Sequence, residues 1–161
     1  MEIREATAAD WPEIWPIVRD IVSAGDTYTW DPATTEAQAR AKWMSGPPAR
    51  TYVAVDAGEI VGTAEVHPNQ GGAGSHVANA GFMVPARHAG RGVARALCRY
   101  VVDAARAGGF RAMQFNAVVE TNTRAVALWQ SEGFAILATV PEAFRHPVHG
   151  YVGLHIMHRM L

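Results

Sequence analysis

The sequence predicts one domain of the mixed α/β class, spanning residues 1–161. A chain of 161 residues is long enough for a single hydrophobic core and too short for two ordinary domains. Short apolar runs bounded by turn residues indicate strands, whereas runs with apolar residues three or four positions apart indicate helices. Because the helical runs are inserted between strand-like runs, their order favours a mixed sheet with helices packed on it.

The amino-terminal half of the chain predicts strands and helices in alternation, followed by a hairpin. A short strand over Ile3–Ala6 precedes Asp10, a residue type that caps helix starts, and a run with helical apolar spacing follows. A second helix begins at Thr34 or Thr35 and continues to about Met44. Two apolar runs on either side of a short glycine-containing turn then predict paired strands over Thr51–Val55 and Ile60–His67.

The carboxyl-terminal half begins with a glycine-rich connection and a strand at about His76–Val84. An amphipathic helix from about Gly92 to Ala107 follows and ends at a pair of glycines, a common helix stop. The remaining predicted elements are a strand over Arg111–Val118, a helix over Asn122–Ser131, and strands over Phe134–Thr139 and Tyr151–Met160.

Composition excludes several classes of protein. Fourteen Lys and Arg against fifteen Asp and Glu give a net charge of −1, so neither nucleic acid nor an anionic membrane is an expected partner. Cys98 is the single cysteine, which excludes an internal disulfide and a thiolate zinc cluster. The chain starts without the pattern of a signal peptide and contains no spanning apolar run, so we expect a soluble cytoplasmic protein.

The segment from Met83 to Ala94 places a two-glycine turn between a strand and an amphipathic helix. Free N–H groups and the positive dipole end of a helix start bind anions, and glycine lets the backbone approach phosphate oxygens closely. Three basic residues nearby are expected to add positive charge, namely Arg87, Arg91 and Arg95. The turn fits neither the Walker loop, which needs a lysine, nor the dinucleotide fingerprint, which needs a third small residue.

A second motif, N-x-x-A-x-x-L-W-x-x-x-G-F, covers Asn122 to Phe134. Together with the turn and Arg91–Leu97, it resembles the GNAT superfamily of N-acetyltransferases, and the order of elements matches over essentially the whole chain. The resemblance implies a mostly antiparallel seven-stranded sheet with about four helices, splayed between the fourth and fifth strands. It also implies acetyl-CoA as co-substrate and an amine acceptor, and it is compatible with a homodimer. No metal is expected.

The resemblance also implies which residues bind acetyl-CoA. Backbone groups after Gly81, which suits a bulge or a splay, would pair with the pantetheine amides. In the turn, Ala89 stands where the family has Gln or Arg, and Arg87 or His88 are alternatives for the missing side-chain contact. The implied binding residues are Phe82, Met83, Val84, Ala89, Gly90, Arg91, Gly92, Val93, Ala94, Asn122, Ala125, Leu128 and Trp129.

The segments Asn79-Ala80-Gly81-Phe82 and Phe115-Asn116-Ala117-Val118 resemble more specifically the fungal acetyltransferases that act on L-azetidine-2-carboxylate, a proline analogue. This resemblance implies that Asn79 and Asn116 orient the substrate and that Asn122 acts at the cofactor end. The acceptor is then a small amine, with proline-like amino acids as the favoured class. The candidate catalytic residues are Asn122 and Asn116, which the resemblance implies, and Glu65, which is a candidate base by its position in the sequence.

Acetyl transfer needs a neutral amine, a polarised thioester and a departing thiol. Many family members supply an acidic tyrosine where this chain has Trp129, whose indole is no useful acid. A thiolate leaves readily, because a thiol pKa is about 8.5, so positioning outweighs proton donation. Candidate bases are Glu65, His67 and His76. Strand alternation puts Glu65 and His67 on one face and the apolar residues Ile60, Gly62, Ala64 and Val66 on the other.

Four residues are predicted to lie in loops that wall the acceptor pocket, where aromatic rings give shape and arginine holds a carboxylate. They are Tyr28, Trp30, Phe144 and Arg145.

Other readings of the same residues stay open at this point. The carboxyl-terminal histidines lack the spacing of a metal site. Cys98 lies on an apolar helix stripe, as an inert buried thiol does, although a cysteine nucleophile is an alternative route. A protein or peptide N-acetyltransferase and a non-catalytic acyl-CoA-binding sensor are the alternative functions.

Overall fold

A seven-stranded sheet carries four α-helices in the computed structural model, which describes residues 1–161. The sheet order is β1-β2-β3-β4-β5-β7-β6, and every pair is antiparallel except β4–β5. The elements are β1 (Glu2–Glu5), α1 (Trp11–Ala24), α2 (Glu36–Trp43), β2 (Arg50–Asp56), β3 (Glu59–Pro68), β4 (Val77–Met83), α3 (Val93–Ala107), β5 (Ala112–Val119), α4 (Thr123–Ser131), β6 (Ala135–His146) and β7 (Gly150–Met160). The predicted mixed sheet with four helices is confirmed.

The parallel pairing of β4 with β5 covers only two residue pairs, Val77 with Ala112 and Ala78 with Met113. Beyond Ala78 the two strands separate, which confirms the predicted splay. Pairing of β4 with β3 continues without a register shift as far as Met83, so Gly81 marks a splay and not a bulge. The separation leaves one edge of β4 without a partner strand over residues 79–83.

Helices cover both faces of the sheet, and each face has its own core. The larger core lies under α3 and α4 and includes Leu97, Val101 and Met157. The smaller core lies under α1 and α2 and includes Ile14 and Trp43. Residues of β3 and β4 contribute to both cores because their side chains alternate between the faces. None of the four helices is long and apolar enough to span a membrane.

The predicted face of Ile60 is wrong. Gly62, Ala64 and Val66 face α3, but Ile60 packs into the smaller core beneath α1. The cause is a register irregularity between β2 and β3, where Val55 pairs with Ile60 while Ala54 pairs with Gly62. One extra residue in a strand moves the side chains beyond it to the opposite face of the sheet.

The predicted end of the sixth strand is also wrong. The sequence predicted a strand that ended at Thr139, with Phe144 and Arg145 in a loop. Instead β6 continues to His146, and its pairing with β7 is irregular between Val140 and Phe144, where Glu142 has a φ of 52°. An irregularity therefore accommodates the Pro-Glu sequence, so the strand does not end there.

Asp10 precedes α1 as predicted, but its carboxylate does not cap that helix. It accepts hydrogen bonds from the Arg4 guanidinium at 2.7 and 2.9 Å and from the Thr7 backbone N–H at 2.6 Å. The bonds from Arg4 contribute most to lowering the pKa of Asp10 below its usual range. Asp10 therefore ties the end of β1 to the start of α1.

We expect Asp10→Asn to lower the free energy of unfolding by about 1–2 kcal/mol near neutral pH, because an ionic hydrogen-bonded group is lost. A depressed pKa stabilises the fold above the unfolded-state value and loses that effect as the pH falls through the folded-state value. The difference between wild type and variant should therefore shrink in acid. Urea denaturation at about pH 7 and about pH 2 measures the difference in free energy of unfolding.

Asp103→Asn is the control, because Asp103 pairs with Arg106 on the exposed surface. A loss that is equal at both pH values argues against this role.

Candidate functional site

A cleft of about 1200 Å³ opens where β4 and β5 separate. Its walls come from the loop between α1 and α2, from β3 and β4, from the second half of β5 and from the start of α4. The cleft thus occupies the place where a splayed sheet leaves backbone edges unpaired, which is a common position for a ligand site.

Aromatic side chains fill the base of the splay. The ring of Trp129 lies 4.9 Å from that of Phe82 and 5.3 Å from that of Phe115, centroid to centroid. Phe115 in turn stacks on Phe134 at 4.2 Å. These rings come from β4, β5, α4 and the residue before β6, so they hold the two strands apart while they close the cleft from below. Trp129 is 8% exposed and lines the cleft with Phe82 and Phe115.

The turn before α3 has the backbone geometry of an anion-binding loop. Gly90 and Gly92 have φ values of 78° and 80°, a region that favours glycine. Gly92 is the N-cap residue of α3, and no atom lies within 4 Å of the position that a Cβ would occupy there. The backbone at Gly92 is therefore open to an approaching group, and the first N–H groups of a helix, which have no partner within the helix, are suited to an anion.

The three arginines predicted to surround this turn are each held by a carboxylate. Arg87 donates to Glu59 at 3.1 Å, and Arg91 donates to Asp56 at 3.0 Å. Arg95 donates to Glu132. These ion pairs lie on the surface, and Glu132 is shared between Arg95 and Arg99, so positive charge remains around the turn. That the three arginines supply positive charge to the opening stays a prediction.

Arg124 is the cation that sequence reasoning missed. It lies on the first turn of α4, lines the cleft and has no carboxylate within ion-pair distance. Its Nη2 atom lies 3.8 Å from the position that a Cβ would occupy at Gly90, so the glycine turn and the cleft adjoin. Its position two residues after Asn122 in the second motif was the available signal.

A histidine and a carboxylate form a pair on the wall of the cleft. Nδ1 of His67 lies 2.6 Å from Oε2 of Glu65, and both side chains line the cleft as strand alternation predicted. Asn79 lies opposite His67 in the β3–β4 pairing and lines the same wall. The hydrogen bond that His67 donates to the Glu65 carboxylate raises the pKa of His67 above its ordinary value of 6.5. His76, the third candidate base, is exposed and does not line the cleft.

Tyr28 closes one side of this wall. Its hydroxyl donates to the backbone carbonyl of Phe82 at 3.1 Å, and its ring packs edge-on against those of Trp30 and Trp43. A Cβ at Gly81 would lie 3.1 Å from the Tyr28 hydroxyl and 3.1 Å from Oε1 of Glu65, so any larger residue there would press on both side chains. Burial, with the nearby Glu65 charge, raises the pKa of Tyr28, and the hydroxyl therefore stays neutral.

All three asparagines singled out in the sequence line the cleft. Asn116 donates to Asn69 at 2.7 Å and accepts from Gln114 at 3.0 Å. Asn122 is the N-cap of α4, and its side-chain oxygen accepts from the backbone N–H of Ala125 at 3.4 Å. The amide group of Asn122 is thus oriented by the helix that it starts.

Several candidate residues lie away from the cleft. Phe144 packs in a small separate cluster with Val119, and its neighbour Arg145 lies on β6 outside the cleft lining. Cys98 is fully buried in the larger core, where burial raises the pKa of its thiol to about 12. Such a thiol is a poor nucleophile. The side chains of Met83 and Leu128 pack in the cores and do not line the cleft.

The chain matches the model of the acetyltransferase (GNAT) family over residues 5–134. It is 61% identical to a solved GCN5-related N-acetyltransferase from Kribbella flavida, which it superposes on with a TM-score of 0.96, covering 99% of this chain and 97% of the other. A solved Salmonella typhimurium acetyltransferase, yncA, with its cofactor acetyl-CoA, shares the fold at 24% identity and a TM-score of 0.85, covering 100% of this chain and 94% of that one.

A curated relative is the N-acetyltransferase aca1 of Schizosaccharomyces pombe. It is 33% identical over 98 residues, which are 60% of this chain and 47% of the relative. The match therefore spans about half the length of that protein.

Proposed function

Because the chain belongs to the GNAT family of acetyltransferases, we propose that it transfers the acetyl group of acetyl-CoA to the amine of a small molecule. One observation carries this proposal. A single cleft contains the unpaired edge of β4 and the pair formed by Glu65 and His67, and Arg124 on its wall adjoins the glycine turn, whose own residues 89–94 lie outside the cleft lining. A donor that carries phosphates at one end and a thioester at the other fits such a cleft along its length.

The protein groups suited to the donor follow from the fold. The N–H groups at Gly90–Ala94, together with the Arg124 guanidinium, offer a cationic site for the diphosphate. The free edge of β4 offers backbone groups to the pantetheine amides, as an added strand would. The thioester then lies near Asn122, Ala125 and Trp129, which line the cleft below that edge.

His67 is suited to act as the base. It accepts a proton from the acceptor ammonium, while Glu65 holds its Nδ1 side and stabilises the imidazolium that forms. The neutral amine attacks the thioester carbonyl carbon in a ternary complex, and the carbon–sulfur bond breaks so that CoA leaves as a thiolate. The proton that remains on the acylated nitrogen passes to that thiolate, which gives the amide and free CoA thiol. Asn79 and Asn116 orient the acceptor through hydrogen bonds. The indole of Trp129 supplies shape at the position where many family members have an acid.

The acceptor we favour is a small amino acid of the proline-analogue type, such as L-azetidine-2-carboxylate. The three asparagines that carry the resemblance to that group of enzymes line one cleft, and Tyr28 and Trp30 form an aromatic wall around it. No feature of the cleft favours a peptide over a small amine.

Release of free thiol from acetyl-CoA, measured over a panel of amines and amino acids, tests the proposed function. We expect amine-dependent release with at least one small acceptor, and mass spectrometry should find the acetylated product. If acetyl-CoA binds but no amine stimulates release, the protein is a non-catalytic acyl-CoA binder and the proposal fails.

We expect Arg124→Gln to weaken acetyl-CoA binding about tenfold, since a charge-assisted hydrogen bond to phosphate is worth about 1.5 kcal/mol or more. Calorimetry measures the binding constant. The KM for acetyl-pantetheine, which lacks the diphosphate, should not change. An equal effect on both donors would show that Arg124 supports the fold of the cleft and does not contact phosphate.

The raised pKa of His67 predicts an acidic limb in the pH dependence of kcat/KM. Activity should fall as the pH drops through a value above 6.5, because protonated His67 cannot accept a proton. Glu65→Gln removes the main cause of the raised pKa, so the limb should move to lower pH. Wild type and variant are compared with one acceptor, whose own titration then cancels. An acidic limb that Glu65→Gln leaves in place excludes this pair as the base.

A further inference from the structure

We infer that Lys42 binds the carboxylate of the acceptor, so that the enzyme selects amino acids over amines without a carboxylate. This inference rests on the proposed function and specifies the substrate class at the same site. It rests on three observations: the position of Lys42, the ion pairs formed by other charged groups in the cleft, and the position of Arg145 outside the cleft.

Lys42 lies on the last turn of α2 and lines the acceptor end of the cleft. Its ammonium group sits over the ring of Trp30, with Nζ 4.8 Å from the ring centroid. Trp30 in turn packs edge-on against Trp43 at 6.1 Å and against Tyr28 at 6.0 Å. The aromatic cluster thus holds an exposed, flexible side chain at the mouth of the cleft.

The same helix reaches the reacting groups. Trp43, the residue after Lys42, packs where a Cβ at Gly81 would be only 3.1 Å away, and the same Cβ would be 3.1 Å from Glu65. Trp43 also donates through its indole N–H to Thr63 on β3 at 3.0 Å. The end of α2 is therefore fixed against the strand that carries Glu65 and His67, and Lys42 sits beside that wall.

Lys42 is the cation at this end of the cleft that is left for a ligand. Arg87 is bound to Glu59, and Arg124 lies beside the glycine turn at the donor end. Lys42 has no carboxylate within ion-pair distance. The carboxylates that line the same end are Asp20, which pairs with Arg19, Glu65, which pairs with His67, and Asp26, which forms no ion pair.

An amino acid suits this distribution of charge. Its ammonium group is drawn toward Glu65 and His67, where it loses a proton, and its carboxylate finds a partner in Lys42. Arg145, the residue predicted to hold the carboxylate, lies on β6 outside the cleft. Lys42 thereby takes the role that the sequence had assigned to Arg145.

The kinetic test compares acceptors that differ only in the carboxylate, L-azetidine-2-carboxylate with azetidine and L-proline with pyrrolidine. We expect Lys42→Gln to raise the KM of the amino acids about tenfold, the loss expected for a hydrogen bond to a charged group, with little change in kcat. The KM of the amines without a carboxylate, and that of acetyl-CoA, should stay the same. Lys42→Arg should recover most of the affinity.

Arg40→Gln is the matched control. Arg40 lies on the same helix, has its guanidinium over Trp11 with 6.0 Å to the ring centroid, and does not line the cleft. The control removes the same charge and should leave every KM unchanged. If Lys42→Gln affects both classes of acceptor equally, or neither, the inference is overturned while the proposed function stands.

A second measurement does not depend on turnover. Lys42 is the only lysine in the chain, so trinitrobenzenesulfonate labels one side chain besides the amino terminus, and peptide mapping separates the two. Saturating L-azetidine-2-carboxylate should slow the labelling of Lys42 at least twofold, and azetidine should not. If the amino acid protects Lys42 from labelling but no acceptor stimulates thiol release, the proposed acetyl transfer is wrong and the carboxylate site is supported. Equal labelling rates of Lys42 with both compounds would contradict the proposed carboxylate site.

Discussion

The separation of β4 from β5 after two residue pairs is the constraint on which the rest of the cleft depends. Where two strands separate, their backbone N–H and C=O groups lose their partners, and such groups are costly to bury. The rings of Phe82, Phe115 and Trp129 fill the space below the gap and prevent the strands from closing over it. The exposed edge of β4 then remains available to an extended ligand, and in the proposed function one cleft serves donor and acceptor together.

Electrostatic pairing divides this cleft into two functional ends. Around the glycine turn, carboxylates pair with Arg87, Arg91 and Arg95, whereas Arg124 has no carboxylate partner. At the other end, Glu65 engages His67 and leaves the cation of Lys42 at the rim. In the proposed function each end therefore offers a cation to its own ligand, and His67, the proposed proton acceptor, lies on the wall of the same cleft.

Much of the fold could be predicted because it depends on local patterns. Apolar periodicity located the helices and strands, and the two-glycine turn was evident from its position between a strand and a helix. Asn122 was identified through its motif, and the structure shows it capping α4. Strand alternation was enough to predict that Glu65 and His67 lie on the same face of β3.

The misplaced residues depend on contacts that are distant in sequence. The partners of Arg87, Arg91 and Arg95 lie 28, 35 and 37 positions away, so no local pattern shows that these side chains form ion pairs. The side on which Ile60 packs depends on how β2 pairs with β3, and the extension of β6 past Pro141 depends on the strand β7 beside it. Pairing between distant segments decides each of these outcomes.

The most direct test of the central claim is amide NMR of the ¹⁵N-labelled protein titrated with acetyl-CoA. The account predicts the largest shift changes at two segments, the free edge of β4 over residues 79–84 and the turn over residues 89–94. Amides of β2, which pairs with strands on both sides, should stay unchanged. Binding that leaves the β4 edge unperturbed would contradict the claim that the opened sheet receives the donor.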